Sequence, residues 1–463
     1  MLLKKIFDFT IKELNLQLIK YKDETEYSNN LEKLNAVIIH NFNNNKLNEQ
    51  ESKIVESDNY DNTMNLNPEN YNEFIEFYNK LNKKIILKNS KININIKKEL
   101  LKSWRTPKLI TTLGDDIEWV NSIAISNVEK AIDNFGNNIS EQYIISGSAD
   151  KTIKVWKINY NEKLSNFEFI KKLEGHTNHV TCVAISDKYI ISGSIDKTIK
   201  IWEISNDFKC IETLENNNSV SSVAIKNQYI VSGLDDFTIK VWTIIKENNN
   251  TRFELLEILK GHTNYVSSLE ISNINIINNN DNIINTQYIV SGSYDNTIKV
   301  WFIINYKNEN LTTNKNYLIT CIKTLKGNNN WFHSISMNDN YLVSGSNDST
   351  IKIWKIINTH NKKDSINYPS FQLVEISKNH IGSVNSVAIS KNTDNIIVSG
   401  SNDNTVKIWK QSKDNFSLLE FECITTINEP EPLICVAIGN IGDKQYIISC
   451  LAETNKIKVW EKN

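Results

Sequence analysis

The amino-acid sequence predicts an all-β ring: seven four-stranded sheets set radially about an axis, behind a small and mainly α-helical N-terminal region. Three observations carry that expectation. A pentapeptide ending in tryptophan recurs seven times. Each copy follows the same series of strand-like strings. An unpartnered string of the kind the last copy lacks stands ahead of the first.

The pentapeptide Thr-Ile-Lys-Val-Trp at 152–156 returns, with only Ile/Val exchanges, at 198–202, 238–242, 297–301, 350–354 and 405–409; a degenerate copy ends at Trp460. The tryptophans stand 46, 40, 59, 53, 55 and 51 residues apart, a spacing that marks a repeated supersecondary unit. Upstream of each lies Tyr-Ile-Ile-Ser-Gly at 143–147 or a relative of it, at 189–193, 229–233, 288–292, 341–345, 396–400 and 446–450. A third string precedes that one, as at 180–186, and a fourth lies between units, as at 210–214. All are short and rich in Ile, Val, Tyr, Thr and Trp, the composition of strands. A tight turn such as Ser-Ile-Asp-Lys at 194–197 joins the second string to the tryptophan string. Each unit therefore reads as a four-stranded antiparallel meander. One meander cannot bury both its faces alone; radial stacking buries them and leaves only short edges.

The last unit has three strings, while Lys-Leu-Ile-Thr-Thr-Leu at 108–113 is a fourth-type string with no unit of its own. Pairing 108–113 with the Trp460 strand would close the ring and remove an open edge. Pro107 sits where that strand starts, a place that tolerates a missing N–H. The ring is expected over 104–463, and 1–103 lacks the repeat. Within 1–103, residues 6–19 and 67–81 read as helices. In the second, Asn67 caps, Pro68 takes the first helical position, and Tyr71, Phe74, Ile75, Tyr78 and Leu81 form an apolar stripe.

Charge and composition narrow the function classes. The net charge is −2, from 52 basic and 54 acidic side chains, which leaves no global field to hold nucleic acid or an anionic membrane. Arg105 and Arg252 are the only arginines, and arginine is the usual reader of phosphates and guanine edges. No apolar run approaches the roughly 20 residues of a membrane span. Lys4, Lys5, Asp8, Lys12 and Glu13 interrupt any signal-peptide core. Six cysteines without a Cys-x-x-Cys pair read as reduced thiols of a cytoplasmic protein. No phosphate loop or zinc motif is present, so no cofactor and no metal is expected.

These repeats resemble the WD40 family of β-propellers over roughly residues 107–463, which implies a seven-bladed propeller. One departure stands out: Lys157, Glu203, Thr243, Phe302, Lys355, Lys410 or Glu461 follows each tryptophan, so the Trp-Asp dipeptide never occurs. The resemblance implies buried Asp-His-Ser-Trp tetrads. Matched residue by residue, these are His176, Ser192, Asp196 and Trp202; His262, Ser291, Asp295 and Trp301; and His380, Ser399, Asp403 and Trp409. Asp116, Asn217, Asn328 and Glu429 fall where the other histidines would be. Ser, His and Asp also make acyl-transfer triads, but three copies tied to a repeated tryptophan read as architecture, so the protein is not expected to be an enzyme. His176 and His179 are three apart, yet one belongs to a tetrad and no further ligand clusters with them.

Loop lengths sort by face. The second-to-third turns and the fourth-to-first connections hardly vary, whereas 127–141, 274–286, 305–316, 359–370 and 411–418 do. The long insertions read as solvated slack. In WD40-like propellers the regular face is lined by residues flanking the first strand's leading apolar residue and by the one before the turn Asp. Mapped here, these include Trp119, Asn121, His179, Thr181, Ser219, Ser221, Tyr265, Ser267, Tyr294, Trp331, His333, Asn347, Ser383, Asn385 and Asn402. Aromatics among small polar residues are the composition of binding hot spots. Trp119, His179, Tyr265, Tyr294, Trp331 and His333 are the candidate partner-binding residues. The aligned Lys154, Lys200, Lys240, Lys299, Lys352, Lys407 and Lys458 read as stems packed along a blade with heads at solvent. Cys210, Cys321 and Cys423 read as small apolar fillers.

The function expected is a non-catalytic scaffold or adaptor holding a peptide or protein segment, without nucleic acid or membrane. The alternative is a substrate receptor of a cullin-type ubiquitin ligase, with 1–103, resembling a divergent BTB domain, as its adaptor end.

Overall fold

The computed structural model describes residues 107–461, apart from loop segments of which 308–316, 358–367 and 412–420 are the longest. The helices expected at 6–19 and 67–81, and the adaptor role expected of 1–103, lie outside the described residues. Seven antiparallel sheets follow one another. Blade two shows the unit: Val180–Ile185, Tyr189–Ser194, Thr198–Glu203 and Lys209–Glu215, paired in chain order. Blades one and three to six start at Val120, Val220, Val266, Phe332 and Val384. Blade seven is Leu433–Ile441, Lys444–Leu451 and Ile457–Glu461, completed by Lys108–Leu113. The closing pairing sets Leu109 opposite Trp460 and Leu113 opposite Ile457, so the last sheet takes its outer strand from ahead of the first.

The core lies between blades. Tyr143, Ile145, Ile153 and Val155 of blade one pack with Val180, Val183, Ile190 and Trp202 of blade two. Tyr446, Ile448 and Val459 of blade seven pack with Val120, Ile144 and Trp156 of blade one. Each tryptophan thus seals its blade against the preceding one, and the second strands are buried along their length. The glycine ending the Ser-Gly pair is required by that approach: a Cβ at Gly193 would come 2.5 Å from Val220 Cγ1 of the next blade.

Two insertions read as slack form strands instead. Glu129–Ile132 pairs antiparallel with the start of the second strand of blade one, and Asn275–Asn279 with that of blade four. In blade four that strand reads Asn-Ile-Ile-Asn-Asn, and its pairing with residues 282–286 sustains it despite its polar composition.

Every first strand is bulged one residue in, as between Val180 and Cys182. A bulge re-aims its extra residue, and here that residue stitches the ring. Asn121 Nδ2 donates to Val180 O at 2.9 Å, Ser221 Oγ to Val266 O at 2.6 Å, Ser267 Oγ to Phe332 O at 2.6 Å, and Asn385 Nδ2 to Leu433 O at 2.7 Å. Thr181 Oγ1 does the same to Val220 O. These side chains, expected to face a guest, are spent on the next blade.

Candidate functional site

The regular face is framed by one repeated backbone bond. The residue before the turn Asp donates its N–H to the residue before the first strand's leading apolar residue, as from Ile195 to His179 at 3.0 Å, Tyr294 to Tyr265 at 3.0 Å and Asn347 to Trp331 at 3.0 Å. That bond sets the two side chains of each blade side by side, and five rings of blades three to five meet there. Tyr294 and Trp331 are stacked, with centroids 5.0 Å apart and planes 9° from parallel. Tyr265 meets Tyr294 edge-on at 6.1 Å, and Phe237 meets Tyr265 at 5.7 Å. His333 stands edge-on to Tyr294 at 5.5 Å. Tyr265 and Trp331 each remain 45% exposed, so the ladder is open to solvent.

Phe237 was not expected from the sequence. It occupies the turn position held elsewhere by Lys151, Lys197, Asn296, Ser349, Asn404 and Asn455, all left-handed, and itself has φ 72°. A bulky side chain in that region is strained. The signal was legible: a phenylalanine stands in a slot of lysines, asparagines and a serine.

His333 is the bulged first-strand residue of blade five, yet among the described residues it makes no stitch to blade six. Its Nδ1 accepts from the Tyr294 hydroxyl at 3.3 Å and its Nε2–H donates to Asn347 Oδ1 at 3.4 Å. Burial holds its imidazole below its ordinary value, against the Asn347 bond. Burial likewise pushes the Tyr294 phenol up, with the Asp235 carboxylate adding to it. Asp235 itself is raised, by burial first and then by Asp236, against a bond from Ser219.

Trp119 is 61% exposed and His179 is exposed. Among the described residues neither makes a ring contact with the ladder, so the six candidates divide into a contiguous four and two outliers in blades one and two.

The tetrads lie beneath this face. In blade two, His176 Nδ1 is 2.8 Å from Asp196 Oδ2, its Nε2 is 2.8 Å from Ser192 Oγ, and Trp202 Nε1 donates to Ser192 Oγ at 3.0 Å. Blade four repeats this with His262–Asp295 at 2.7 Å, His262–Ser291 at 2.8 Å and Trp301–Ser291 at 2.9 Å. Blade six does so with His380–Asp403 at 2.8 Å, His380–Ser399 at 2.7 Å and Trp409–Ser399 at 2.9 Å. An indole only donates and an ionised carboxylate only accepts, so the proton order is fixed: Trp to Ser, Ser to His Nε2, His Nδ1–H to Asp. Burial would raise the Asp196 carboxyl, but bonds from Thr198, the Thr177 N–H and His176 outweigh it and hold it at about 2. Burial also holds His176 and His380 below their ordinary value. The three serines are fully buried, each with its oxygen under an indole N–H. No substrate carbonyl can approach such a hydroxyl, whatever its likeness to a triad. Among the described residues no cluster of His, Cys, Asp and Glu could hold a metal, and no helix is long and apolar enough to cross a membrane.

The histidine position lies four residues before the leading apolar residue, which places Asn216, not Asn217, at the blade-three equivalent. Asn216 is buried. The aligned lysines also differ from expectation. Lys154 and Lys352 are 3% exposed and Lys240 is 9% exposed, so their heads turn inward. Of the three cysteines expected as fillers, Cys321 is exposed.

The model of the WD domain, G-beta repeat family matches residues 108–157, 167–203, 208–243, 253–301, 319–355 and 371–410. Together these exceed half of the chain; the copy ending at Trp460 is not among them. Among curated proteins, the chain is 24% identical over 183 residues to Mitochondrial division protein 1 of Schizosaccharomyces pombe, covering 38% of this chain and 23% of that one. It is 27% identical over 153 residues to Nuclear distribution protein PAC1 of Candida tropicalis, covering 27% and 30%. The chain thus spans less than a third of either relative. Among solved structures, that of U3-55K is similar with a TM-score of 0.53 at 18% identity, covering 77% of this chain and 100% of that one.

Proposed function

The chain belongs to the WD40 repeat family, and from that premise we propose that it is an interaction scaffold that seats a protein segment on the ladder Phe237, Tyr265, Tyr294, Trp331 and His333. One observation carries the reading: a run of packed rings across three blades that stays open to solvent. Packing alone would hide such rings, since exposed aromatic area is costly in water. Rings held rigidly lose little entropy on binding, which is why they dominate interface energetics. His333, unstitched to the next blade, adds polar edges beside them.

A protein segment suits the ladder better than nucleic acid. Asp235 and Asp236 flank it, and carboxylates oppose a phosphate backbone. The ubiquitin-ligase alternative depends on 1–103, and no described residue favours it. Crosslinking mass spectrometry in cells, comparing the wild type with Trp331→Ala plus Tyr265→Ala, tests the reading. Each truncation is expected to cost about 1–3 kcal/mol of binding, so the partner set should thin or vanish. An unchanged set would overturn it.

A further inference from the structure

Building on that reading of the face, we propose that the segment seated there is extended and proline-rich, its pyrrolidine rings lying along the ladder and one of its backbone carbonyls accepting a hydrogen bond from Asn347 Nδ2. Three features that meet at the Tyr294–Trp331 stack support this.

The first is a fixed donor. Asn347 is tied to the stack through its main chain and its side chain. Its N–H donates to Trp331 O at 3.0 Å. Its Oδ1 accepts from His333 Nε2–H at 3.4 Å and from the Ser383 hydroxyl at 2.6 Å. His333 in turn takes the Tyr294 hydroxyl on Nδ1 at 3.3 Å and stands edge-on to the Tyr294 ring, and Tyr294 lies on Trp331. The two bonds on Oδ1 set Nδ2 as the free end of the carboxamide. Among the described residues Nδ2 has no acceptor, and solvent reaches it, so its N–H groups are open to a guest.

The second is that the carbonyl and amide oxygens around the stack are already engaged. The repeated frame bond gives Tyr265 O, Trp331 O and Ser383 O the N–H groups of Tyr294, Asn347 and Asn402. Asn264 Oδ1 and Asn330 Oδ1 take the N–H groups of Tyr265 and Trp331. Asp235, at the blade-three end of the ladder, is bonded from Ser219. Among the described residues the Trp331 indole N–H, like Asn347 Nδ2, is without an acceptor. A guest therefore finds donors for its carbonyls and little for its own N–H groups, and an N–H stripped of water without an acceptor is costly. Proline carries the carbonyl and lacks the N–H.

The third is the spacing of the rings. Centroid steps of 5.7 Å from Phe237 to Tyr265, 6.1 Å to Tyr294 and 5.0 Å to Trp331 each match about two residues of a polyproline II chain, which rises roughly 3.1 Å per residue. One such chain reaches successive rings of the ladder. Its pyrrolidine rings bury apolar area on aromatic faces, and its fixed φ leaves little entropy to lose on binding.

The full-length protein is titrated with labelled decaproline and with an alternating Leu-Ser peptide of the same length, which offers the rings apolar side chains but carries an N–H at every residue. Decaproline should bind about tenfold more tightly than the Leu-Ser peptide. Trp331→Ala should weaken decaproline at least about tenfold. Asn347→Asp keeps an oxygen for His333 and Ser383 and exchanges the donor for a second acceptor, so it should weaken decaproline about tenfold as well. Far-UV circular dichroism and the urea midpoint check that both variants fold. Equal affinity for the two peptides, with both lost in Trp331→Ala, overturns the proline assignment and leaves the ladder as a binding face. Decaproline binding that ignores Asn347→Asp, tighter binding of the Leu-Ser peptide, or no measurable binding of decaproline also overturns the proline assignment. Insensitivity of both peptides to Trp331→Ala overturns the face as well.

Discussion

Blades two, four and six hold an imidazole between Ser and Asp; blades one, three, five and seven carry no histidine at that position. The aligned lysine shows the exchange. Where histidine is present, Lys200, Lys299 and Lys407 reach across to Thr213, Thr324 and Thr426 of the outer strand, at 3.1, 3.1 and 3.2 Å. Where histidine is missing, the lysine moves in. Lys154 Nζ stands 3.4 Å from Asp150 Oδ2, the carboxylate oxygen that histidine uses elsewhere. Lys240 lies over the Trp242 ring at 5.6 Å, and Lys458 pairs with Glu429, which occupies the histidine position in blade seven. In blades three and five the outer-strand partner is Ile258 or Ile376, which offers no hydroxyl. In those two blades the lysine has neither a threonine outside nor a histidine inside; in blade seven Lys458 faces Thr112 and still pairs with Glu429. Opposite the tryptophan, the imidazole blades carry Cys210, Cys321 and Cys423, whereas the lysine blades carry Phe169, Leu255, Leu373 and Leu109. The difference teaches that two side-chain sets fill one backbone slot. One set is a directional hydrogen-bonded chain; the other is a charge with an apolar stem.

The two solutions should differ most when the turn aspartate is removed. Asp295 accepts from His262, from the Thr263 N–H at 3.1 Å, from the Thr297 N–H at 2.9 Å and from Thr297 Oγ1 at 2.6 Å. Among the described residues Asp236 of blade three accepts only from Thr238, through its N–H at 3.1 Å and its hydroxyl at 2.6 Å. Asp295→Ala should destabilise by about 3–5 kcal/mol, because it strands a buried imidazole, serine and indole. Asp236→Ala should cost about 1–2 kcal/mol. Urea midpoints of the two variants check this, and equal shifts would break the comparison.

Acid should also discriminate. The folded His176 and His380 are held below the ordinary histidine value of 6.5, burial being the main cause. The unfolded chain then binds more protons, so their contribution is fully present above pH 6.5 and is lost as pH falls below it. Asp196 and Asp403, held at about 2, contribute above 3.8, and that share is lost as pH falls from there towards 2. Stability should therefore fall in two steps. A His176→Gln, His380→Gln variant starts less stable but should lose less between pH 6.5 and about pH 5. An unchanged slope in that window would assign the acid sensitivity to other groups.

Much of this was legible in the sequence. Seven tryptophan strings and the orphan string at 108–113 specify the ring and its closure, because strand pairing leaves no other use for an unpaired outer strand. The tetrads were legible through the resemblance: matched to its pattern, His176, Ser192, Asp196 and Trp202 have counterparts in blades four and six. Four of the six candidate binding residues assemble: the bond from the pre-Asp residue to the pre-strand residue sets Tyr294 beside Tyr265, and Trp331 and His333 of the next blade meet Tyr294 by ring contact. The misreadings share one cause: alignment gives a residue's position, whereas its partners depend on the neighbouring blade. Asn121, Thr181, Ser221, Ser267 and Asn385 were assigned to the surface until the next blade's carbonyls claimed them. The lysine heads needed the identity of the outer-strand residue opposite. The insertion at 275–279 needed its pairing with residues 282–286, which its asparagine content does not announce.

Blade three offers the smallest and sharpest change. Ser232 Oγ, Trp242 Nε1 and Asn216 Oδ1 are buried there with no hydrogen-bond partner; in the imidazole blades a histidine partners the serine, and the serine partners the indole. Asn216 stands at the histidine position, and its Nδ2 is turned to Leu214 O at 3.3 Å, away from the serine. The asparagine amide is shorter than an imidazole and cannot span from serine to aspartate. Asn216→His should let Nε2 accept from Ser232, free Ser232 Oγ to accept from Trp242, and place Nδ1–H on Asp236. Two orphaned groups gain partners and Lys240 is displaced outward, where Ile258 gives it no bond. The net gain should be about 1 kcal/mol, since each satisfied bond is worth roughly that and the lysine loses its seat. A rise in the urea midpoint, with Trp242 fluorescence shifted as its N–H becomes bonded, is the expected result. A fall would mean that the lysine set fits blade three better than the imidazole set, and that the alternation around the ring is not interchangeable.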